Sequence, residues 1–331
     1  MRITIADVAR RARVSKTTVS RVLNDKVDVD ATTSRRVREV IAEMGYVPSA
    51  RAVGLASGRT QTIGMLVPVL TWPWISEMLQ GIVDTLETHG YGLLLYTMNK
   101  GAVSLAQFEK HVSANAFDGL VVVEPPDSLD YITALYASGL PVVMIDDRGR
   151  HPQFPSVATT NRLGAQSAVK HLRDSGRSRI AVITGPEEFG CTQERLDGFQ
   201  DQLSLSGLEL DPKLVLEGDF TRESGTLAVQ TLISAGIAFD GVFAHNDLMA
   251  AGALRGLRDA GRLVPDDVAV VGFDDLPLAA DTQPSLTTIR QPVKEMGEAA
   301  ASMLLAHLTG TPLPEEPQTV PTSLVIRESA P

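Results

Sequence analysis

The sequence predicts a mixed α/β protein: an N-terminal all-α helix-turn-helix head followed by a two-lobed body built on parallel sheets. Three observations point there. Residues 1–60 carry 12 Lys and Arg against 6 Asp and Glu, a net of +6, whereas the rest of the 331-residue chain carries −16. From Ile63 onward, short apolar runs alternate with helical patterns, as in βαβ units with parallel strands. The body also repeats itself. Phe117-Asp-Gly-Leu-Val121 returns as Phe239-Asp-Gly-Val-Phe243, and Val142-Val-Met-Ile-Asp-Asp147 as Val270-Val-Gly-Phe-Asp-Asp275. Two similar lobes, each several strands wide, account for the repeats better than one continuous sheet.

In the head, Thr4 can cap a helix whose apolar residues Ile5, Val8, Ala9 and Ala12 fall at i, i+3, i+4 and i+7. Val14 marks a turn, and Ser15 stands where an N-cap belongs. The next helix turns Val19, Val22 and Leu23 inward and presents Lys16, Thr17, Ser20 and Arg21 outward. That outer face is all hydrogen-bond donors without a carboxylate, which suits base edges and phosphates in a DNA groove. A third helix from near Asp30 is seamed by Val37, Val40, Ile41 and Met44, with Gly45 as its C′ residue and Pro48 preventing it from resuming. Three short helices in a basic segment make a helix-turn-helix. A generic three-helix bundle has no need of the donor-rich face.

Ser49 to Ser57 can form one more short helix. Gly54 costs it roughly 1 kcal/mol relative to Ala, and so short a helix is marginal alone, so it is expected to order only when something holds it. Replacing Gly54 by Ala is therefore expected to strengthen DNA binding. Gly58 to Thr62 leads out as a polar linker.

Strands are expected at Ile63–Val67, Leu93–Tyr96, Leu120–Val123, Val142–Ile145, Ile180–Ile183, Leu214–Leu216, Val242–Ala244, Val268–Val271 and Leu324–Ile326. In such sheets ligands bind beyond the carboxyl ends of the strands. Asp146 and Asp274 each follow a strand, so both lobes can aim a carboxylate into one cleft. Trp72-Pro73-Trp74 holds both tryptophans and follows the first body strand. Flat rings among Asp, Asn and Arg suit a sugar, whose C–H faces they cover while polar groups pair with hydroxyls. The alternative for Trp74 is to anchor the next helix, and for Trp72 a structural role is the simpler reading. Phe220, in Gly218-Asp-Phe-Thr221, is a similar candidate on the other lobe.

Other chemistry is sparse. There is no Gly-x-Ser-x-Gly elbow, no phosphate-cradling Gly-x4-Gly-Lys-Ser/Thr and no His-Glu-x-x-His. The six histidines lack ligand spacing, and His245, beside Asn246, is more simply a satisfied polar residue than a ligand contact. A single cysteine, Cys191, excludes an internal disulfide and a thiolate zinc site, and fits a reducing compartment. No leader opens the chain and no apolar run approaches the ~20 residues of a membrane helix. The expectation is a cytoplasmic binding protein with no membrane association, not an enzyme, without metal or cofactor.

With these residues in hand, the whole chain resembles the lactose-repressor (LacI/GalR) family of bacterial transcription regulators. The resemblance rests on Ile5-Ala-Asp-Val-Ala9, Val14-Ser-x-x-Thr-Val-Ser-Arg-Val-Leu-Asn24 and Gly45-Tyr-x-Pro48 in the head. In the body it rests on Gly185-Pro186, Arg195-x-x-Gly-Phe199, Asn246-Asp247, Gly272-Phe-Asp-Asp275 and Leu286-Thr-Thr-Ile-Arg-Gln291. It implies a periplasmic-binding-protein-like body whose lobes are joined by three crossings, near 158–161, 290–292 and 321–323. The division is then a head at 1–48, a hinge helix and linker at 49–60, and an effector-binding and dimerisation domain at 61–331. Within that domain the N-subdomain is about 61–158 and 292–321, and the C-subdomain about 159–290 and 323–331.

The resemblance also implies a homodimer on a palindromic double-stranded operator. Lys16, Thr17 and Arg21 would touch base edges, Thr18, Ser20 and Asn24 would hold phosphates, and Thr4 would join the DNA contacts. Leu55 matches a leucine wedge for the central minor groove. Asp146, Arg195, Asn246 and Asp274 match effector-binding positions, with Trp72, Trp74 and Phe220 as aromatic walls. There are departures: the loop that commonly reads Asn-Pro-Phe is Trp72-Pro-Trp74 here, and Gly54 breaks the hinge helix. The chain ends soon after Arg327, so a dimer is expected rather than a coiled-coil tetramer. The expected function is a repressor of carbohydrate-utilisation genes, released from its operator by a sugar inducer. The alternatives are a purine-responsive corepressor of the same fold, a stand-alone solute-binding protein and, last, an enzyme on the doubly wound lobes.

Overall fold

A computed structural model describes residues 3–23, 28–46, 59–123, 129–145 and 154–331. The head holds α1 (Ile5–Ala12), α2 (Lys16–Leu23) and α3 (Ala31–Met44). Their boundaries follow from local chemistry. The Thr4 backbone N–H and hydroxyl both donate to the Asp7 carboxylate, at 3.0 and 2.6 Å. Ser15 Oγ accepts from the Thr18 backbone at 3.0 Å, and Asp30 from that of Thr33 at 2.9 Å. Gly45 closes α3 at φ +62°, a left-handed conformation that costs glycine nothing. Val8, Ala9, Ala12, Val19, Val22, Val37, Val40 and Tyr46 form the small core that these helices share.

The body contains twelve strands among the described residues. Their ranges are β1 (Thr62–Val67), β2 (Gly92–Thr97), β3 (Gly119–Val123), β4 (Val142–Ile145), β5 (Ser156–Thr159), β6 (Ile180–Thr184), β7 (Val215–Glu217), β8 (Gly241–Ala244), β9 (Ala269–Asp274), β10 (Thr287–Arg290), β11 (Gln318–Val320) and β12 (Ser323–Val325). The helices are α4 (Ile75–Thr88), α5 (Ala102–Ser113), α6 (Leu129–Ala137), α7 (Asn161–Asp174), α8 (Gly190–Leu205), α9 (Arg222–Ser234), α10 (Asp247–Asp259), α11 (Pro277–Asp281) and α12 (Val293–Leu308).

The strands form two sheets of the same layout, β11-β5-β4-β3-β1-β2 in the N-lobe and β12-β10-β9-β8-β6-β7 in the C-lobe. Every pairing is parallel except β10 with β12. The sequence repeats fall on equivalent strands, β3 with β8 and β4 with β9. The chain passes between sheets three times, after β5, after β10 and between β11 and β12. Thr160 and Thr322, on the first and third passages, share a 2.8 Å hydroxyl bond.

Helices cover both faces of each sheet, as parallel strands require. In the N-lobe, Met78, Ile82 and Leu86 of α4 join Met296, Ala300 and Leu304 of α12 on one face, with Phe108 and Ile132 on the other. In the C-lobe, α9 and α10 supply Val229, Met249 and Leu257, while α7 and α8 supply Val169, Leu172, Phe199 and Leu203. Helices α9 and α10 touch backbone to backbone: a Cβ at Gly252 would land on the Arg222 carbonyl, and one at Gly225 on that of Met249.

Three strands went unread in the sequence. β5, β10 and β11 are three or four residues long and rich in Ser, Thr and Gln, so no apolar run marks them. No helix among the described residues is long and apolar enough to cross a membrane.

Candidate functional site

The site forms where loops leave the carboxyl ends of strands from both lobes. After β1 comes the loop bearing Trp72 and Trp74, and Trp74 immediately precedes α4. On the C-lobe, β9 ends at Asp274, β8 runs into His245 and Asn246, and β7 leads to Phe220. Phe220 (φ +64°), Asp274 (φ +117°) and Asp275 (φ +61°) all hold left-handed backbone conformations, which side chains other than Gly adopt only at a cost. Strain gathered at strand ends is a mark of a binding site.

These elements frame an open cleft, lined by Trp72, Pro73, Trp74, Cys191, Arg195, Phe220, Asn246, Leu248, Asp274, Leu276 and Gln291. Trp72, Trp74, Arg195, Phe220, Asn246 and Asp274 are thus together. Asp146 lies outside the described residues. Trp74 does two jobs: like Trp72 it packs partly on the N-lobe core, and it also lines the cleft.

Each polar wall residue is held by its neighbours. Arg195, only 3% exposed, donates from Nε to Asn161 Oδ1 at 2.9 Å and from Nη1 to the His245 carbonyl at 2.5 Å. Its guanidinium lies 3.7 Å from the centroid of the Phe273 ring, a cation–π contact. Asn246 caps α10 by accepting from the Met249 backbone at 2.9 Å, and its amide donates to the Phe220 carbonyl at 3.0 Å. One asparagine therefore fixes both a helix start and the aromatic loop. Gln291, on the second passage, donates to Asp274 Oδ1 at 2.6 Å.

Burial pushes the Asp274 carboxyl up to about 6, while the charge of Arg195 and the Gln291 bond oppose the rise. Behind it Asp247 accepts from the Leu276 backbone at 2.7 Å and from Thr288 Oγ1 at 2.5 Å. Burial first, then the charge of Asp274, drives Asp247 well above the ordinary carboxylate range. His245 is fully buried and does not line the cleft. Burial and the Arg195 charge hold it well below the usual imidazole value, so it is neutral. Its Nδ1 accepts from the Gly185 backbone at 3.3 Å, which puts the ring proton on Nε2.

The aromatic wall is longer than expected. Trp72 stacks on Trp74 at 5.4 Å, meets Phe189 edge-on at 5.7 Å, and Phe189 in turn lies 5.6 Å from Phe220. Phe189, just ahead of α8, therefore links rings from both lobes. Gly185 makes room for it all, since a Cβ there would overlap the Phe220 ring and press on Thr192 Oγ1. Sequence reasoning missed Phe189, Cys191, Leu248, Leu276 and Gln291. Gln291 ends a motif already noted, and that motif was the available signal.

In the head, Lys16, Thr17 and Arg21 are exposed on α2, and Thr18 and Ser20 are half-buried. Thr18 Oγ1 bonds Ser15 Oγ at 2.9 Å, and Arg21 makes an exposed 3.0 Å pair with Asp28. Such pairs are worth little and exchange readily for a phosphate or base. The Thr4 hydroxyl is bound to Asp7 at the start of α1. Asn24, Leu55 and the hinge segment 49–57 lie outside the described residues. No group of His, Cys, Asp and Glu among the described residues is placed to hold a metal ion.

A donor-faced helix-turn-helix joined to a two-lobed body with a walled cleft defines a DNA-binding transcriptional regulator. Comparison with known proteins gives the family. Residues 4–49 match the bacterial regulatory proteins of the lacI family, and residues 169–330 the periplasmic binding protein-like domain. The HTH-type transcriptional regulator MalR of Streptomyces coelicolor is 36% identical over 334 residues, spanning 98% of this chain and 96% of that protein. Among solved structures, a CelR–cellobiose complex is 33% identical with TM-score 0.76, covering 99% of this chain and 100% of that one. The lac repressor dimer bound to operator and the anti-inducer ONPF is 28% identical with TM-score 0.89, covering 100% and 99%. The chain belongs to the lacI family of bacterial transcriptional regulators.

Proposed function

We propose that this chain is a cytoplasmic homodimeric repressor of carbohydrate-utilisation genes, released from a palindromic operator by a sugar bound between its lobes. The observation that carries the reading is the cleft itself. Aromatic faces from both lobes meet Arg195, Asn246, Asp274 and Gln291 around one cleft, the pairing of apolar walls with a few fixed polar groups that small-molecule sites show. Rings cover the apolar faces of a pyranose, and an ionised carboxylate with amide and guanidinium donors pairs its hydroxyls. The similar CelR chain was solved with cellobiose, which supports a saccharide here.

The effector site comprises Trp72, Trp74, Asp146, Arg195, Phe220, Asn246 and Asp274. On DNA, Lys16, Thr17 and Arg21 read bases, Thr4, Thr18, Ser20 and Asn24 hold the backbone, and Leu55 enters the central minor groove. The working units are the head (1–48), the hinge and linker (49–60) and the effector-binding body (61–331). Dimerisation is supported by β2, an edge strand that leaves Leu94 and Leu95 each 37% exposed. Apolar edges of that kind call for a partner.

The test is a titration of labelled duplex, selected by the chain from a randomised palindromic library, against maltose, cellobiose, monosaccharides and purine bases. Weaker operator binding with a saccharide is the expected result. Tighter binding with any of these compounds overturns induction in favour of corepression. Leu94→Glu with Leu95→Glu is expected to yield a monomer in sedimentation, and an intact dimer would move the interface elsewhere.

A further inference from the structure

The repeated Phe-Asp-Gly motif places an aspartate at the same point of each lobe, ahead of β3 and ahead of β8, and the two aspartates do different things. Asp240 Oδ1 and Oδ2 accept from the Ser178 backbone at 3.0 and 2.8 Å, Oδ1 also accepts from the Arg179 backbone at 2.8 Å, and Oδ2 from the Ser178 hydroxyl at 3.0 Å, so the difference lies in which residues are held. Asp118 accepts from the backbones of Thr60 and Gln61 at 2.7 and 2.9 Å, and from the Thr60 hydroxyl at 2.8 Å. Strand register allows a strict comparison. Ile63 pairs with Gly119 as Ile180 pairs with Gly241, so Gln61 corresponds to Ser178 and Thr62 to Arg179. The C-lobe aspartate thus pins the two residues before its strand. The N-lobe aspartate grips one residue further back, toward the head.

That shift is built into the backbone. Gln61 takes φ +52°, a left-handed conformation that neither Ser178 nor Arg179 adopts, at the point where the grip is displaced by one residue. A second hold lies beside it. The Arg59 guanidinium donates to the carbonyl of Leu308, the last residue of α12. A cation at a helix C-terminus is favourably placed against the helix dipole. Helix α12 spans 16 residues and starts two residues after Gln291, which bonds Asp274 in the cleft. One rigid element, roughly 24 Å long, therefore runs from the cleft to the residues that lead to the head.

We propose that Asp118 is a positioning residue: with Arg59 it clasps the linker at Arg59–Gln61, and occupancy of the cleft and of DNA are coupled through this clasp. The proposal rests on the reading of the chain as an effector-controlled regulator. Asp240, its structural counterpart, only secures the start of β6.

The chain supplies its own reporter, because both tryptophans, Trp72 and Trp74, line the cleft and the head has none. By linkage, DNA must perturb the cleft if the cleft perturbs DNA binding. The experiment records tryptophan fluorescence of the full-length chain at saturating selected duplex, with no sugar present. The wild type and Asp240→Asn should change emission on binding, and Asp118→Asn should not, although anisotropy shows its heads fully bound. A retained change in Asp118→Asn overturns the proposal, as does loss of the change in Asp240→Asn to the same degree. No change in the wild type overturns it too. If Asp118→Asn does not fold by circular dichroism, Thr60→Val combined with Arg59→Met removes the hydroxyl bond and the helix contact, and the same loss is expected. A failed sugar reading shows separately, as a cleft whose fluorescence ignores every saccharide while still responding to duplex.

Discussion

Lowering the pH should weaken effector binding while relieving the fold of one buried charge, and Asp274 is the reason. Its carboxyl is buried at the end of β9 and pushed up to about 6. At pH 7.5 it is almost wholly ionised, whereas at pH 5 about one molecule in ten retains the charge. A sugar whose hydroxyls donate to the carboxylate should then bind roughly tenfold more weakly at pH 5, equivalent to about 1.4 kcal/mol. The stability effect has the opposite sign. The folded-state value lies above the unfolded one, so the native protein takes up this proton more readily. The contribution of Asp274 to stability therefore rises as pH falls through about 6 toward 4, and at neutral pH the ionised group costs the fold up to about 3 kcal/mol. Asp247, shifted in the same direction, adds with the same sign. His245 acts with the opposite sign over the same window: burial holds its ring neutral, so below its usual value the unfolded chain takes up a proton that the native ring does not. The assay is a tryptophan-fluorescence titration with the effector sugar at pH 7.5, 6 and 5, paired with urea unfolding at each pH. Asp274→Asn should bind weakly and without pH dependence. Constant wild-type affinity across the range, or the same decline in Asp274→Asn, would refute the reasoning.

Three further outcomes are expected. Gly252→Ala should cost about 1–3 kcal/mol in chemical denaturation, because its methyl meets the Arg222 carbonyl and separates α9 from α10; an unchanged midpoint would mean the helices slide apart freely. Trp72→Ala should lower sugar affinity about fivefold, reflecting a lost ring face of about 1 kcal/mol, and Phe189→Ala, which removes the ring bracing Trp72 and Phe220, should lower it in the same direction; isothermal titration with affinity intact for Phe189→Ala would remove it from the site. Arg21→Ala and Lys16→Ala should each cost about 1–3 kcal/mol of operator binding and relax preference at one base pair; anisotropy titrations over duplexes altered at single positions check this, and a uniform loss across sequences would assign the side chain to a phosphate instead.

Much of the architecture was legible because periodicity and composition act locally. The inward spacing of Val19, Val22 and Leu23 and the run Val142–Ile145 announce a helix face and a buried strand without reference to the rest of the chain. The internal repeats disclosed two lobes, and they do fall on equivalent strands. What stayed hidden depends on distant partners. β5, β10 and β11 are short and polar, and become strands only beside neighbours such as β4 and β9. The cleft was read through Asn246 and Asp274, in recognisable motifs at strand ends, and through Arg195, in a motif on α8. Phe189 joins it through a bridge of rings and leaves no trace in local pattern, whereas Gln291 joins it from an inter-lobe passage that only its motif hinted at. Asp118 shows the same limit. Its motif was visible as half of a repeat, yet its grip on Thr60 and Gln61 emerged only from the register shift against Asp240.

The central claim is that filling the cleft changes the grip of the head on DNA. Its most direct test is anisotropy of a labelled, self-selected palindromic duplex titrated with the full-length chain at low salt, with and without saturating saccharide. The account predicts that one saccharide, shown bound by tryptophan fluorescence, shifts the operator curve to at least about tenfold weaker binding, a coupling of about 1.4 kcal/mol. Superimposable curves with that saccharide demonstrably in the cleft would contradict it.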